Sequence, residues 1–170
     1  MKKVFVTRKL LKENEDKLKE LFDVKLNSED KVYSATEIVE GSKDYDGILS
    51  SVTDLINADT ISKLSSSIKI IANGAVGFGN IDFRAARKKS ITVTNTPDVL
   101  TEATADIQIL LLLGASRKAY EGRLEAETQN WKWSWSFLLG KQMSNKRLGI
   151  LGMGRIGRAV AKRAKAFGME

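Results

Sequence analysis

Three glycines stand at fixed spacing in the run Gly152-Met153-Gly154-Arg155-Ile156-Gly157, the Gly-x-Gly-x-x-Gly pattern of a dinucleotide-binding turn. In such a turn the first glycine permits the bend, the second lets the backbone approach a pyrophosphate, and the third lets helix and strand pack closely. The pyrophosphate then rests on the free amides of a helix N-terminus. A glycine-rich turn with no ligand is the plainer reading of the same residues. The flanks favour the nucleotide. Arg147-Leu148-Gly149-Ile150-Leu151 reads as a short buried strand, and Ile156, Val160, Ala164 and Phe167 recur at helical spacing. A complete site also needs an acidic residue roughly 20 positions on, at the end of a second strand, to take the ribose hydroxyl. Glu170 is the last residue, so the expectation is the first half of a nucleotide site.

A second glycine cluster is Asn73-Gly74-Ala75-Val76-Gly77-Phe78-Gly79-Asn80-Ile81-Asp82. It follows the strongest apolar strand pattern of the chain. Ligands of open parallel sheets bind beyond the carboxyl ends of the strands, and exposed amides in glycine-rich backbone make an anion nest. A tight turn that needs positive φ explains the same glycines equally well. A third segment, Thr101-Glu102-Ala103-Thr104-Ala105-Asp106, opens a long helix. Thr101 is placed to be its N-cap, and acidic residues in a first turn suit the helix dipole. The segment can also face a ligand, because it lies where two domains join.

The chemistry that is absent is informative too. The chain has no His and no Cys, which excludes His- or Cys-based nucleophilic and metal sites among these residues. No paired-carboxylate constellation replaces them. The lack of Cys also removes disulfides and suits a reducing, cytoplasmic setting. A net charge of +7, from 28 basic and 21 acidic residues, invites a nucleic-acid partner. The basic residues are scattered over polar helix faces without interleaved aromatics, so no nucleic acid is expected. The apolar stretch 107–113 is far shorter than a membrane span, and Val4-Phe5-Val6 is too short for a signal-peptide core.

The elements that must position these clusters follow from periodicity. Strands are expected at residues 3–7, 23–26, 46–50, 68–72 and 91–94. Between them, helices are read around Leu11 to Phe22, from a capping box at Ser34-Ala35-Thr36-Glu37, near residues 58–64, and after Asp82 as a cap. Alternating strands and helices make a parallel sheet wound on both faces. Residues 1 to about 98 therefore read as one α/β domain. Asn95-Thr96-Pro97 breaks the chain, and a helix over 101–117 follows, apolar on nearly all sides and so expected to be buried on most faces. Residues 118–145 read as non-periodic. They carry all three tryptophans, Trp131, Trp133 and Trp135. So much aromatic surface on an irregular segment either folds onto its own domain or meets a second subunit; the subunit contact is the reading adopted.

Three segments together resemble a known family. Val-Gly-Phe-Gly-Asn-Ile-Asp (76–82), Val-Thr-Asn-Thr-Pro-Asp-Val-Leu-Thr-Glu-Ala-Thr-Ala-Asp (93–106) and Leu-Gly-Ile-Leu-Gly-Met-Gly-Arg-Ile-Gly (148–157) look like the D-isomer-specific 2-hydroxyacid dehydrogenases. The likeness is strongest to the glyoxylate and hydroxypyruvate reductases, and the tryptophan segment is similar to that branch as well. The resemblance covers the chain in order. It implies a flavodoxin-like substrate domain over 1–98, lacking its C-terminal return, and from 99 an interdomain helix, the tryptophan loop and the first β-α unit of a Rossmann domain. It implies that Val76 and Gly77 hold a substrate carboxylate, with Ser51 nearby, where relatives often carry an apolar residue. It implies that Thr104, Gly152, Gly154, Arg155, Ile156 and Gly157 contact NAD or NADP. The substrate would be a small 2-oxo acid, glyoxylate or hydroxypyruvate, and the assembly a homodimer. The family's catalytic Arg, Glu and His would lie beyond residue 170, leaving this chain alone inactive. Sister dehydrogenases acting on phosphoglycerate, lactate or formate, and a non-enzymatic co-repressor of the same fold, share the pattern.

Overall fold

Val4, Phe5 and Val6 are extended and apolar, and they find parallel partners on both sides. This is the start of a sheet that organises the first half of the chain in the computed structural model, which describes residues 1–170. The chain divides into two units, Met1–Pro97 and Asp98–Glu170.

In the first unit, β1 (Lys3–Val6), β2 (Asp23–Lys25), β3 (Gly47–Ser50), β4 (Ile70–Asn73) and β5 (Thr92–Thr94) form one sheet in the order β2-β1-β3-β4-β5. Every pairing is parallel. This is the flavodoxin-like winding expected from the resemblance, with its switch point between β1 and β3. The register runs Phe5 to Ile48, Ile48 to Ile71 and Ile71 to Val93. Phe5, Ile48 and Ile71 are at most 1% exposed and form the core with Ile38, Ile61, Leu64 and Ala86. Those last four come from the short helices α2 (Ala35–Gly41), α3 (Ala58–Lys63), the C-cap of α3, and α4 (Phe83–Lys88).

Each of these helices starts on a side chain that satisfies an orphan amide. Ser34 and Glu37 close the expected capping box on α2. Asn57 accepts from the Thr60 amide at 3.0 Å, and Asp82 from the Ala85 amide at 2.9 Å. At the other end of α3 the Lys89 ammonium donates to the carbonyls of Ile61, Ser62 and Leu64 at 2.9, 2.8 and 2.5 Å. A cation there complements the negative end of the helix. The remaining helix, α1 (Lys12–Leu21), buries no residue. Its Leu18 faces an apolar hollow of about 390 Å³ shared with Lys2, Asp46, Ile48 and Ile70.

The second unit holds α5 (Thr101–Ser116), α6 (Ala119–Thr128) and α7 (Arg155–Ala166). Ala105 and Ile109 of α5 are buried in one cluster with Ala159, Val160 and Ala164 of α7. Four expectations need correction here. The segment 147–151, read as a strand, does not form one, because a parallel strand needs a neighbour to ladder with. Only Glu170 stands beside it, accepting from the Leu148 amide at 2.7 Å and donating to Lys146 at 3.0 Å. The helix α5 is buried along one stripe alone: Ile107, Leu110 and Leu111 remain 55%, 61% and 65% exposed. Thr101 is not its cap. Leu100 holds that position without a side-chain bond, and the Thr101 amide is already taken by the Asp98 carbonyl at 3.1 Å. Finally, part of the segment read as non-periodic is the helix α6, framed by left-handed Lys118 and Gln129. No residue of α6 is buried, so no apolar stripe announced it. No helix of the chain is long and apolar enough to cross a membrane.

Candidate functional site

The carboxyl ends of β3 and β4 carry the first cluster. The chain leaves β4 at Asn73, whose side chain is buried at 2% exposure. Its amide nitrogen donates to the Gly77 carbonyl at 2.8 Å and to Asn80 Oδ1 at 3.4 Å, and its oxygen accepts from Ser50 Oγ at 3.3 Å. Asn80 in turn donates to the carbonyls of Ser51 and Asp54 at 3.0 and 3.1 Å. Val76 is tied differently. Its carbonyl accepts from Asn95 Nδ2 at 2.8 Å, while the preceding carbonyl, of Ala75, accepts from the Thr96 amide at 2.9 Å. The structure thus brings Ser51, Val76 and Gly77 into one hydrogen-bonded loop cluster. Ser51 is half-buried and Gly77 exposed.

Two observations bear on what this loop is for. The amides of Val76 and Gly77 donate to no group of the chain. Gly77 also has no local reason to be glycine: its φ is not positive, and a Cβ there would meet nothing within 4 Å. The tight-turn explanation of Gly77 therefore fails, and an open space beside two free amides remains. Beneath the cluster lies a buried carboxylate. Asp54 Oδ2 accepts from Thr7 Oγ1 at 2.5 Å and from the Ser51 amide at 2.7 Å, while its Oδ1 is buried without a partner.

The second cluster is the turn into α7, and its three glycines have three distinct physical reasons. Gly152 sits at φ +95°, which side-chain-bearing residues rarely adopt. Gly154 is the N-cap, and a Cβ on it would meet nothing within 4 Å. A Cβ on Gly157 would lie 2.1 Å from the Gly152 carbonyl oxygen. The amides of Arg155, Ile156 and Gly157 precede the first intrahelical bond, from the Arg158 amide to Gly154 at 3.0 Å, and so are free at the helix start. A bend, an open approach and a close packing contact are what a diphosphate cradle requires, so these residues fit that group. Arg155 stands at the rim with its Nε 2.5 Å from Asp98 Oδ1, both side chains exposed. Thr104 is half-buried and adjoins Ala105, which shares the buried cluster with Ala159 and Val160 of α7.

The acidic residues of the 101–106 segment are engaged with α7. Arg163 bonds Glu102 at 2.8 Å and Asp106 at 2.6 Å, and these two partners raise its pKa above the ordinary arginine value. Sequence alone does not announce buried Asp54, or the clamping roles of Asn73, Asn80 and Asn95. The visible signal is an asparagine directly after each of two expected strands, Asn73 after 68–72 and Asn95 after 91–94.

A flavodoxin-like sheet with two free amides in the loop beyond β4, followed by a glycine fingerprint at a helix start, defines an open parallel α/β protein with the layout of the nucleotide-binding folds. The comparisons make that class specific. The chain matches the D-isomer specific 2-hydroxyacid dehydrogenase catalytic domain over residues 4–162, and it belongs to that family. It is 42% identical to a glyoxylate reductase of Korarchaeum cryptofilum over 99% of this chain and 51% of that protein. A glyoxylate reductase of Thermococcus gammatolerans is 38% identical over 99% of this chain and 52% of its own. Among solved structures, a putative D-isomer specific 2-hydroxyacid dehydrogenase from Polaromonas sp. JS6 66 superposes with a TM-score of 0.88 at 39% identity, covering 99% of this chain and 53% of that one. A glyoxylate reductase from Paecilomyes thermophila gives 0.81 at 31% identity, covering 99% and 54%. The chain spans about half the length of the relatives it matches.

Proposed function

We propose that this chain is the substrate- and cofactor-holding N-terminal part of an NAD(P)-dependent oxidoreductase that interconverts a small 2-oxo acid and its 2-hydroxy acid, with glyoxylate or hydroxypyruvate as substrate. The observation that carries the reading is Gly77, a glycine that neither backbone nor neighbours require, next to two unpartnered amides. A carboxylate fills such a place well, because charge-assisted bonds to backbone amides are about twice as strong as neutral ones. Val76 and Gly77 bind and orient the substrate carboxylate, and Ser51, whose hydroxyl bonds nothing in the chain, is tied to the same loop cluster through its carbonyl, which accepts from Asn80.

Gly152, Gly154, Arg155, Ile156 and Gly157 hold the cofactor diphosphate, with Thr104 a further contact. When bound, the nicotinamide supplies the hydride. The role of the present residues is binding and orientation; the proton donor and the arginine that completes substrate binding belong to the remainder of the full-length protein. The glyoxylate reductases among the relatives support the substrate class. Homodimerisation through Trp131, Trp133 and Trp135 is supported by their exposure, 54%, 65% and 89%.

The test is an absorbance assay of the full-length protein with glyoxylate and hydroxypyruvate against NADH and NADPH, alongside the 170-residue chain. Turnover by the former and none by the latter is the expected result. A full-length protein that binds neither cofactor nor oxo acid would overturn the reading.

A further inference from the structure

A peptide unit is planar and trans, so fixing its carbonyl fixes the amide of the next residue in the opposite direction. No cis bond occurs in this chain. The Ala75 carbonyl is held by the Thr96 amide at 2.9 Å, which aims the Val76 amide away from residue 96. The Val76 carbonyl is held by Asn95 Nδ2 at 2.8 Å, which aims the Gly77 amide away from residue 95. Because both clamps come from adjacent residues of one segment, the two amides are turned to the same side. Asn73 then locks the far end by holding the Gly77 carbonyl at 2.8 Å. Without these bonds Gly77, exposed and with no Cβ, would be free to rotate.

We infer that Asn95 and Asn73 are positioning residues for carboxylate binding: they contact no substrate and act by aiming the Val76 and Gly77 amides at a common point. This rests on the carboxylate reading above. It adds two side chains that set oxo-acid affinity without touching the cofactor. Asn95 is the informative member, because it is exposed and has no other bond. Asn73 is buried and also bonds Ser50 and Asn80.

The experiment uses the full-length protein carrying isotopically labelled glycine, titrated with oxamate as an unreactive stand-in for a 2-oxo acid. In the native protein the Gly77 amide resonance moves along a saturating curve. In Asn95→Ala the same resonance responds with an affinity weaker by about five- to tenfold, the worth of one hydrogen bond or slightly more. Melting temperature and NADH affinity stay at native values, and KM for the oxo acid rises while kcat changes little. Asn95→Asp keeps the shape but replaces the donor with an acceptor, and it weakens oxamate at least as much. Native-like oxamate affinity in both variants overturns the clamp and leaves the nest standing. A loss of affinity accompanied by a lowered melting temperature assigns Asn95 a structural role and also overturns it. If Gly77 does not respond in the native protein, the carboxylate reading itself falls.

Discussion

The three fingerprint glycines separate into different outcomes when each is replaced by alanine. At Gly157 the new methyl would lie 2.1 Å from the Gly152 carbonyl oxygen, against an ordinary carbon–oxygen approach of roughly 3.3 Å. Backbone must therefore move by about an ångström, and the obstacle is not a flexible side chain. Overpacking of this kind costs about 1–3 kcal/mol, and the rigid obstacle places Gly157→Ala at the upper end. The gain in helix propensity, about 1 kcal/mol, offsets part of it. The net expectation is a loss of about 2 kcal/mol, or roughly 4–8 °C in melting temperature for a domain of this size. Gly154→Ala meets open space and gives up only the mild N-cap preference, about 0.5–1 kcal/mol. At the second glycine of the fingerprint, however, a side chain takes up space through which a pyrophosphate would approach the backbone. Losing even one charge-assisted bond of roughly 1.5–3 kcal/mol weakens cofactor binding about tenfold or more. Thermal melts of the full-length protein, with NADH and NADPH titrations followed by fluorescence, separate stability from binding. A Gly157→Ala protein that melts like the native one, or a Gly154→Ala protein that binds both nucleotides normally, refutes this separation of roles.

Three further outcomes follow from the geometry. Gly77→Val has room, so its melting temperature should match the native protein while kcat/KM for the oxo acid falls about tenfold or more through one or two lost amide bonds; a destabilised variant with normal kcat/KM per folded molecule contradicts this. Replacing Trp131, Trp133 and Trp135 together by serine should shift a full-length dimer toward monomer in sedimentation, and an unchanged dimer leaves them as local packing. The Arg8 guanidinium, bonded to Asp30, holds that carboxyl at about 2 against an ordinary 3.8, and the Lys31 and Ser34 bonds hold Glu37 at about 2 against 4.5. Both folded values are depressed, so their stabilisation is present above pH 4.5 and is lost as pH falls toward 2. Asp30→Asn with Glu37→Gln should flatten the acid limb of the melting-temperature profile, and an unchanged limb would show that these pairs contribute nothing.

What could be read from residues alone was local. The Ser34 capping box and the Asp82 cap depend on groups three residues apart, and both form as spacing dictates. The run Ile68 to Ala72 became β4 one or two residues later than expected because its ladder starts where β3 offers Gly47. Reading failed where burial is set by something distant or absent. The apolar sides of α5 gave no indication that only Ala105 and Ile109 would be covered. The alternation at 147–151 is that of a strand, yet a strand is a property of two segments. Polar α6 was invisible because nothing in it is buried. At the site, the glycines were legible as chemistry. The asparagines were not, since Asn95 reaches Val76 across 19 residues and Asn80 reaches Ser51 across 29.

The position of β5 at the edge of the sheet has a thermodynamic consequence. Asn95 and Thr96 directly follow this three-residue strand, which pairs only with β4. Short edge elements open locally at far less cost than the whole domain. Each such opening withdraws both bonds that aim the Val76 and Gly77 amides. A ligand that needs those amides aimed therefore favours the docked strand and by linkage stabilises it, by about 2.7 kcal/mol at a hundred times its Kd. Oxo-acid binding should appear as slowed hydrogen exchange along β5, in residues that the ligand never touches.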